Sequence, residues 1–249
     1  MKREPGGYRY PRFFAHRCGG ALAPENTLAG LRLAARLGYR GVEFDVMLCA
    51  DGVPVLIHDE TLERTSDGSG RVAETALAGL RWLDAGGRQH RAYAGEPIPT
   101  LEEALACCNT LGLTANIEIK PAAGFDAETG ATVAAMVLRD WRSVMAPLLS
   151  SFSEEALAAA RAAAPALPQA LLVDAVPPDW LPRLQELGCM SLHCSAAHLT
   201  PGLAAELAAA GVPFACYTVN RVADAERLFG LGAAALFTDR LDLFDPGEG

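Results

Sequence analysis

Gly41-Val42-Glu43-Phe44-Asp45-Val46-Met47 is the stretch on which the fold turns. Residues two apart on a strand point to the same side. Val42, Phe44 and Val46 therefore share one face, and Glu43 and Asp45 share the other. Asn116-Ile117-Glu118-Ile119-Lys120 repeats the pattern, with Ile117 and Ile119 opposite Glu118 and Lys120. Both stretches read as strands that turn apolar side chains toward covering helices and charged ones toward an interior.

Working outward, short β-rich runs alternate with longer helical patterns along the whole chain. Strands are expected at 13–15, 41–47, 114–119, 148–151, 169–173, 191–194, 213–219 and 234–238. Helices are expected at 27–37, 101–111, 127–141, 153–164, 178–187, 201–210 and 221–231, each with apolar residues three and four apart. Gly38, Gly112, Gly188, Gly211 and Gly232 stand where helices end, the usual place of a glycine cap. Ser153, followed by Glu154 and Glu155, reads as a helix start. Strands alternating with helices imply parallel pairing, and eight such units imply a closed (β/α)8 TIM barrel. A doubly wound open sheet is the alternative, but no glycine-rich dinucleotide fingerprint accompanies it.

One stretch breaks the rhythm. Residues 51–99 separate the second and third barrel strands and are too long for a simple connection. They hold a further short strand at 53–57 and a Gly/Ser-rich part at 65–72. The reading is a small inserted subdomain, 51–99, over the C-terminal face of a single barrel domain spanning 1–249.

Composition bounds the function. The chain has 249 residues, 51% hydrophobic and 20% charged, which suits a large core and not disorder. A net charge of −9 removes the general attraction that nucleic acid requires. No apolar run reaches membrane-spanning length, no signal-peptide core precedes His16, and no basic anchoring segment is present. Seven cysteines, without CxxC or an ordered framework, fit a cytoplasmic location. Cys107 and Cys108 lie in a helical pattern and read as packing.

The interior carboxylates carry the first chemical signal. Glu43, Asp45 and Glu118 would lie together at the C-terminal ends of adjacent strands, where barrel active sites form. Burying them together is costly unless a cation or proton compensates. Oxygen-only ligands suit Mg²⁺ or Ca²⁺ better than Zn²⁺. A structural ion-pair network with Lys120 accounts for the same pattern, so spacing alone leaves both readings open. His16 and His58 each follow an apolar strand and can reach the mouth, where paired imidazoles suit acid/base work. Arg17 presents a fork that matches two oxygens of a phosphate or carboxylate. His193 is placed on the sixth strand with a mouth-facing role open, whereas His90 and His198 read as solvated. Asp51 and Asp59 read as turn formers. Ser151 lacks the elbow of a serine nucleophile.

Taken in order, His16-Arg17, Pro24-Glu25-Asn26-Thr27, Glu43-Phe44-Asp45, His58-Asp59, Glu118-Ile119-Lys120, Ser151-Phe152, Thr218-Val219-Asn220 and Thr238-Asp239 resemble the glycerophosphodiester phosphodiesterase family, in its cytoplasmic bacterial form. The resemblance covers nearly the whole chain, the insertion included. It implies metal-dependent hydrolysis of glycerophosphodiesters to sn-glycerol 3-phosphate and an alcohol. Glu43, Asp45 and Glu118 would hold one divalent cation, Mg²⁺ or Ca²⁺. His16 and His58 would be the acid/base pair, and Arg17 and Lys120 would contact phosphate. Asn26 would face the same mouth, Tyr217 would wall the alcohol pocket, and Glu25 would support the site. The partner implied is a small-molecule substrate, with no nucleic acid and no stable membrane anchor; a homodimer is suggested only by analogy.

One position departs from the family pattern. Cys18 stands where the family has glycine, and Gly19 is expected to take over that glycine's conformational role. A barrel cleaving membrane phosphodiesters and a noncatalytic phosphate-binding barrel are the competing readings.

Overall fold

The computed structural model describes residues 8–247. The first seven residues of the Gly- and Pro-rich start lie outside them. The strands are β1 Phe13–Ala15, β2 Gly41–Leu48, β3 Pro54–Leu56, β4 Thr114–Ile119, β5 Leu148–Ser151, β6 Gln169–Val173, β7 Ser191–Ser195, β8 Phe214–Tyr217 and β9 Ala235–Thr238. The helices are α1 Leu28–Arg36, α2 Leu77–Leu80, α3 Leu101–Leu111, α4 Asp126–Asp140, α5 Glu154–Ala163, α6 Trp180–Leu187, α7 Pro201–Ala209 and α8 Val222–Gly230.

All strands except β3 run parallel in the order β1-β9-β8-β7-β6-β5-β4-β2. Pairing of β1 with both β9 and β2 closes the ring, so the fold is the expected eight-stranded TIM barrel. The hairpin partner β3 lies antiparallel on the end of β2. All five expected cap glycines have positive φ. Ser153 caps α5 by accepting a hydrogen bond from the Ala156 amide.

Two packing layers follow from the strand alternation. Val42, Phe44, Ile117 and Ile119 join Leu31, Leu105 and Val133 in the main core between barrel and helices. Inside the barrel, Phe14 stacks on Phe237 at 4.9 Å beside Ala215 and Ala235. That plug fills the lower interior, and the carboxylates stand above it at the strand ends.

The segment between β2 and α3 builds an apolar cluster from Met47, Val55, Ile57, Leu62, Val72 and Leu80. It reaches across the mouth: Gln89 donates to the Ala21 carbonyl at 2.9 Å, and Tyr93 Oη to that of Leu22 at 3.0 Å. Helix α2 and the 3₁₀ turns Val72–Glu74 and Arg91–Tyr93 were not anticipated here. They are three or four residues long, too short to display a period.

Candidate active site

Register brings the acids together. Asp45 pairs with Glu118, and Glu43 with Asn116, across β2 and β4. One oxygen from each of Glu43, Asp45 and Glu118 lies within 4.8 Å of the others, so the trio could hold a metal ion. Burial first, then the charge of Asp45, pushes Glu43 up to about 8 and Glu118 up to about 7. Glu43 Oε1 is buried with no hydrogen-bond partner. A carboxylate oxygen left bare among like charges is what a hard divalent cation compensates, and the donor set fits one.

Lys120 closes this side, with Nζ 3.2 Å from Glu118 and 3.8 Å from Asp45. Asn26, expected at the substrate mouth, is instead only 3% exposed. Its Nδ2 donates to Asp45 Oδ2 at 2.8 Å, and its Oδ1 accepts from the Asp45 amide at 3.1 Å. Both ends of the amide are spent on orienting Asp45.

The β1 turn places His16 and Arg17. The Arg17 amide donates to Glu43 Oε2 at 2.8 Å, and the Cys18 amide to the Glu43 carbonyl at 2.7 Å. Arg17, Cys18 and Asn26 all have positive φ, at 48°, 74° and 56°. Expected to relieve Cys18, Gly19 has φ −119°, so the cysteine itself occupies the left-handed region. That conformation costs a non-glycine residue about 1–2 kcal/mol. Gly20 closes the turn by donating to the His16 carbonyl at 2.8 Å and packs against Asp239, the residue after β9, where a Cβ would lie 2.4 Å from its carbonyl oxygen. Cys18 is fully buried, and burial drives its thiol well above the ordinary value, so it is packing and not a thiolate nucleophile.

Each histidine is held by a carboxylate. His16 Nδ1 lies 2.6 Å from Asp239 Oδ1, and Asp239 also accepts from Asn220 Nδ2 at 2.8 Å. Burial disfavours the His16 imidazolium, but the Asp239 hydrogen bond and the charges of Glu43 and Asp239 outweigh it and raise the pKa. His58 Nδ1 lies 2.6 Å from Asp59 Oδ1. There burial wins over Asp45 and Asp59, and the pKa is lowered. Both bonds leave Nε2 as the nitrogen available to a substrate.

His16, Arg17, the three acids, His58 and Lys120 line one cavity of about 330 Å³. Phe152 and Tyr217 form its apolar wall, their rings edge to face at 6.1 Å. The Tyr217 hydroxyl donates to the Val173 carbonyl at 2.7 Å, which leaves the ring as its contribution. A larger cavity of about 600 Å³ shares His16 and Arg17 and opens outward past Glu25 and Arg64. Glu25 accepts from Arg17 Nη1 at 3.1 and 3.2 Å.

The remaining candidates lie elsewhere. His193 is fully buried inside the barrel against Phe237, with Tyr10 Oη 3.4 Å from Nε2, and burial depresses it to about 3. His90 caps a 3₁₀ turn, and His198 pairs with Asp174 at the surface. Ser151 Oγ donates to the Ile119 carbonyl. Asp51 accepts from the Leu77 amide in the insertion. Asp59 sits in a bend, as expected, and its side chain also bonds His58 and Arg64. Arg64 was missed altogether: Asp59 is only five residues away, but Glu25 is 39 residues away and no motif spacing marks the link. Asp239 was noticed only as part of a motif.

A family model described as the glycerophosphoryl diester phosphodiesterase family matches residues 16–243. The chain belongs to that family. It is 34% identical over 227 residues to a glycerophosphodiester phosphodiesterase of Caldanaerobacter subterraneus, covering 90% of this chain and 92% of the relative. Among solved structures, an Oleispira antarctica phosphodiesterase in complex with the product sn-glycerol-3-phosphate superposes with a TM-score of 0.90. The two are 39% identical over 92% of this chain and 93% of the other. A glycerophosphodiester phosphodiesterase from Agrobacterium tumefaciens matches with a TM-score of 0.77 and 29% identity, over 96% of this chain and all of that one. The activity of this family member is accordingly that of a glycerophosphodiester phosphodiesterase, acting on a small-molecule substrate. Among its described residues no helix is long and apolar enough to cross a membrane.

Proposed function

We propose that this enzyme hydrolyses glycerophosphodiesters to sn-glycerol 3-phosphate and an alcohol, using His16 and His58 as its acid/base pair beside one divalent cation. The observation that carries this reading is the single cavity in which two carboxylate-held imidazoles face three crowded acids and two cations. Glu43, Asp45 and Glu118 hold the cation, Mg²⁺ or Ca²⁺. When bound, it supplies Lewis-acid stabilisation of charge on the phosphoryl oxygens.

Arg17 and Lys120 bind the phosphate and offset its charge as the phosphorus becomes pentacoordinate. One imidazole takes a proton at Nε2 from the nucleophile, either water or the substrate's own 2-hydroxyl (the latter giving a cyclic phosphate that water then opens), and the other delivers one from Nε2 to the leaving oxygen. Asp239 and Asp59 keep Nδ1 protonated, which fixes the tautomer each step needs. Asn26 serves through Asp45, and Glu25 through Arg17. Phe152 and Tyr217 exclude water from one side. We read the chain as one barrel domain with 51–99 as its inserted subdomain, and the seven free cysteines as suiting the reducing cytoplasm.

The test is release of glycerol 3-phosphate from glycerophosphocholine by purified protein. Release abolished by EDTA and restored by Mg²⁺ or Ca²⁺ is the expected result. Turnover that EDTA leaves untouched would overturn the metal assignment.

A further inference from the structure

Arg64 makes four hydrogen bonds to two carboxylates. Its Nε and Nη2 donate to Asp59 at 2.5 and 3.0 Å, and its Nη1 and Nη2 donate to Glu25 at 2.7 and 2.8 Å. Each carboxylate makes a second bond inward, Asp59 to His58 at 2.6 Å and Glu25 to Arg17 at 3.1 Å. The result is one continuous chain: His58, Asp59, Arg64, Glu25, Arg17. Its ends line the inner cavity, and Arg64 lines the outer one.

We propose that Arg64 is a positioning residue that braces the acid/base residue His58 and the phosphate-binding residue Arg17 as one unit. The inference rests on the roles given above to those two residues. Chemistry singles out arginine here. A planar fork with five donors serves two carboxylates with paired bonds to each; a lysine ammonium is a point charge that can engage both only at the expense of geometry. Charge points the same way. Arg17, Arg64, Glu25 and Asp59 form a neutral set, and removing Arg64 leaves Asp59 without its clamp and Glu25 free to close on Arg17 alone. A surface ion pair does little for stability, and Arg64 is 45% exposed, so the brace should act on activity more than on folding. The position links the insertion to the barrel: Arg64 and Asp59 follow β3, and Glu25 belongs to the turn after β1.

The experiment is Arg64→Ala assayed with glycerophosphocholine, together with Asp59→Asn and the double variant. Arg64→Ala is expected to keep its melting midpoint near wild type while kcat/KM falls roughly 10–100-fold, the usual scale for residues that orient a catalytic group. Guanidinium added in solution, reaching the gap through the outer cavity, should restore part of the loss, whereas methylammonium at equal ionic strength should not. The double variant should lose no more than the worse single one, because both break the same link. Unchanged kinetics in Arg64→Ala, or fully additive losses in the double variant, would overturn the brace.

Imidazole NMR reads the brace without turnover. Arg64→Ala should move the His58 resonances and leave those of His90 and His198 in place. If His58→Ala and Arg17→Ala kept wild-type turnover, the site roles would fall, yet the His58 resonance would still judge the brace. A resonance unmoved by Arg64→Ala would count against it.

Discussion

At the scale of single residues, the site joins one pair that sequence order hides and one that it shows. His16 and Asp239 stand 223 positions apart and bond at 2.6 Å; His58 and Asp59 are neighbours and bond at the same distance. The histidines were legible because each follows an apolar strand and a charged residue adjoins it. Asp239 was not legible as a partner, because closure of β9 on β1 is what brings it there. Replacing either His16 or His58 by Ala should lower kcat roughly 10²–10⁴-fold, the range for positioned acid/base groups. Steady-state turnover of both folded variants checks this, and near-normal rates in either would remove that residue from the pair. Asn26 teaches the converse lesson. Its place in a motif suggested substrate contact, but burial commits both ends of its amide to Asp45.

At the scale of elements, close approach decides more than propensity. Helices α4 and α5 meet where Gly130 faces Ala156, and a Cβ at Gly130 would lie 2.1 Å from the Ala156 carbonyl oxygen. Alanine normally stabilises a helix by up to about 1 kcal/mol over glycine. Here the obstacle is backbone, so overpacking at about 1–3 kcal/mol should win. Gly130→Ala is expected to lower the thermal midpoint, whereas Gly230→Ala, at the end of α8 with nothing within 4 Å, should hold or raise it. Equal shifts in the two variants would contradict the packing argument. The strands were legible from alternation, and helix ends differed by at most two residues where caps were weak. The short helical pieces of the insertion carried no period to read.

At the scale of the whole molecule, an acidic chain concentrates three carboxylates in a pocket that resists the ionisation of Glu43 and Glu118. Without metal, Glu43 and Glu118 titrate at about 8 and about 7, above the ordinary value of 4.5, so the folded chain keeps protons the unfolded chain has released. Stability from this source is complete below pH 4.5 and drains as pH rises toward 8. His193, held near 3 by burial, acts oppositely, but only below its unfolded value of 6.5. The depressed carboxylates Glu25, Asp59 and Asp239 lose their contribution only as pH falls through the ordinary range or below. His16, whose pKa is raised above 6.5, loses its contribution in the same direction as Glu43 and Glu118, so the window from pH 6.5 to 8 reads the three groups together. In EDTA the melting midpoint should fall across it, and Mg²⁺ or Ca²⁺ should stabilise the protein more at pH 8 than at 6.5. Scanning calorimetry at both ends checks this; a midpoint that rises with pH in EDTA would contradict the carboxylate assignment.

The linear order of residues was enough for the barrel and for the inward side of Glu43, Asp45 and Glu118, because strand alternation and helix period are local properties, and the ordered motifs from His16-Arg17 to Thr238-Asp239 carried the resemblance to the family. Three-dimensional closure alone decided which groups touch. It put Asp239 on His16, turned Asn26 onto Asp45, and buried His193 beneath the mouth. It also strained Cys18 and not Gly19, and joined Arg64 to both ends of the site. Most of those outcomes depend on contacts between separate segments, such as Asp239 with His16 and Glu25 with Arg64, and those contacts exist only once the chain has folded.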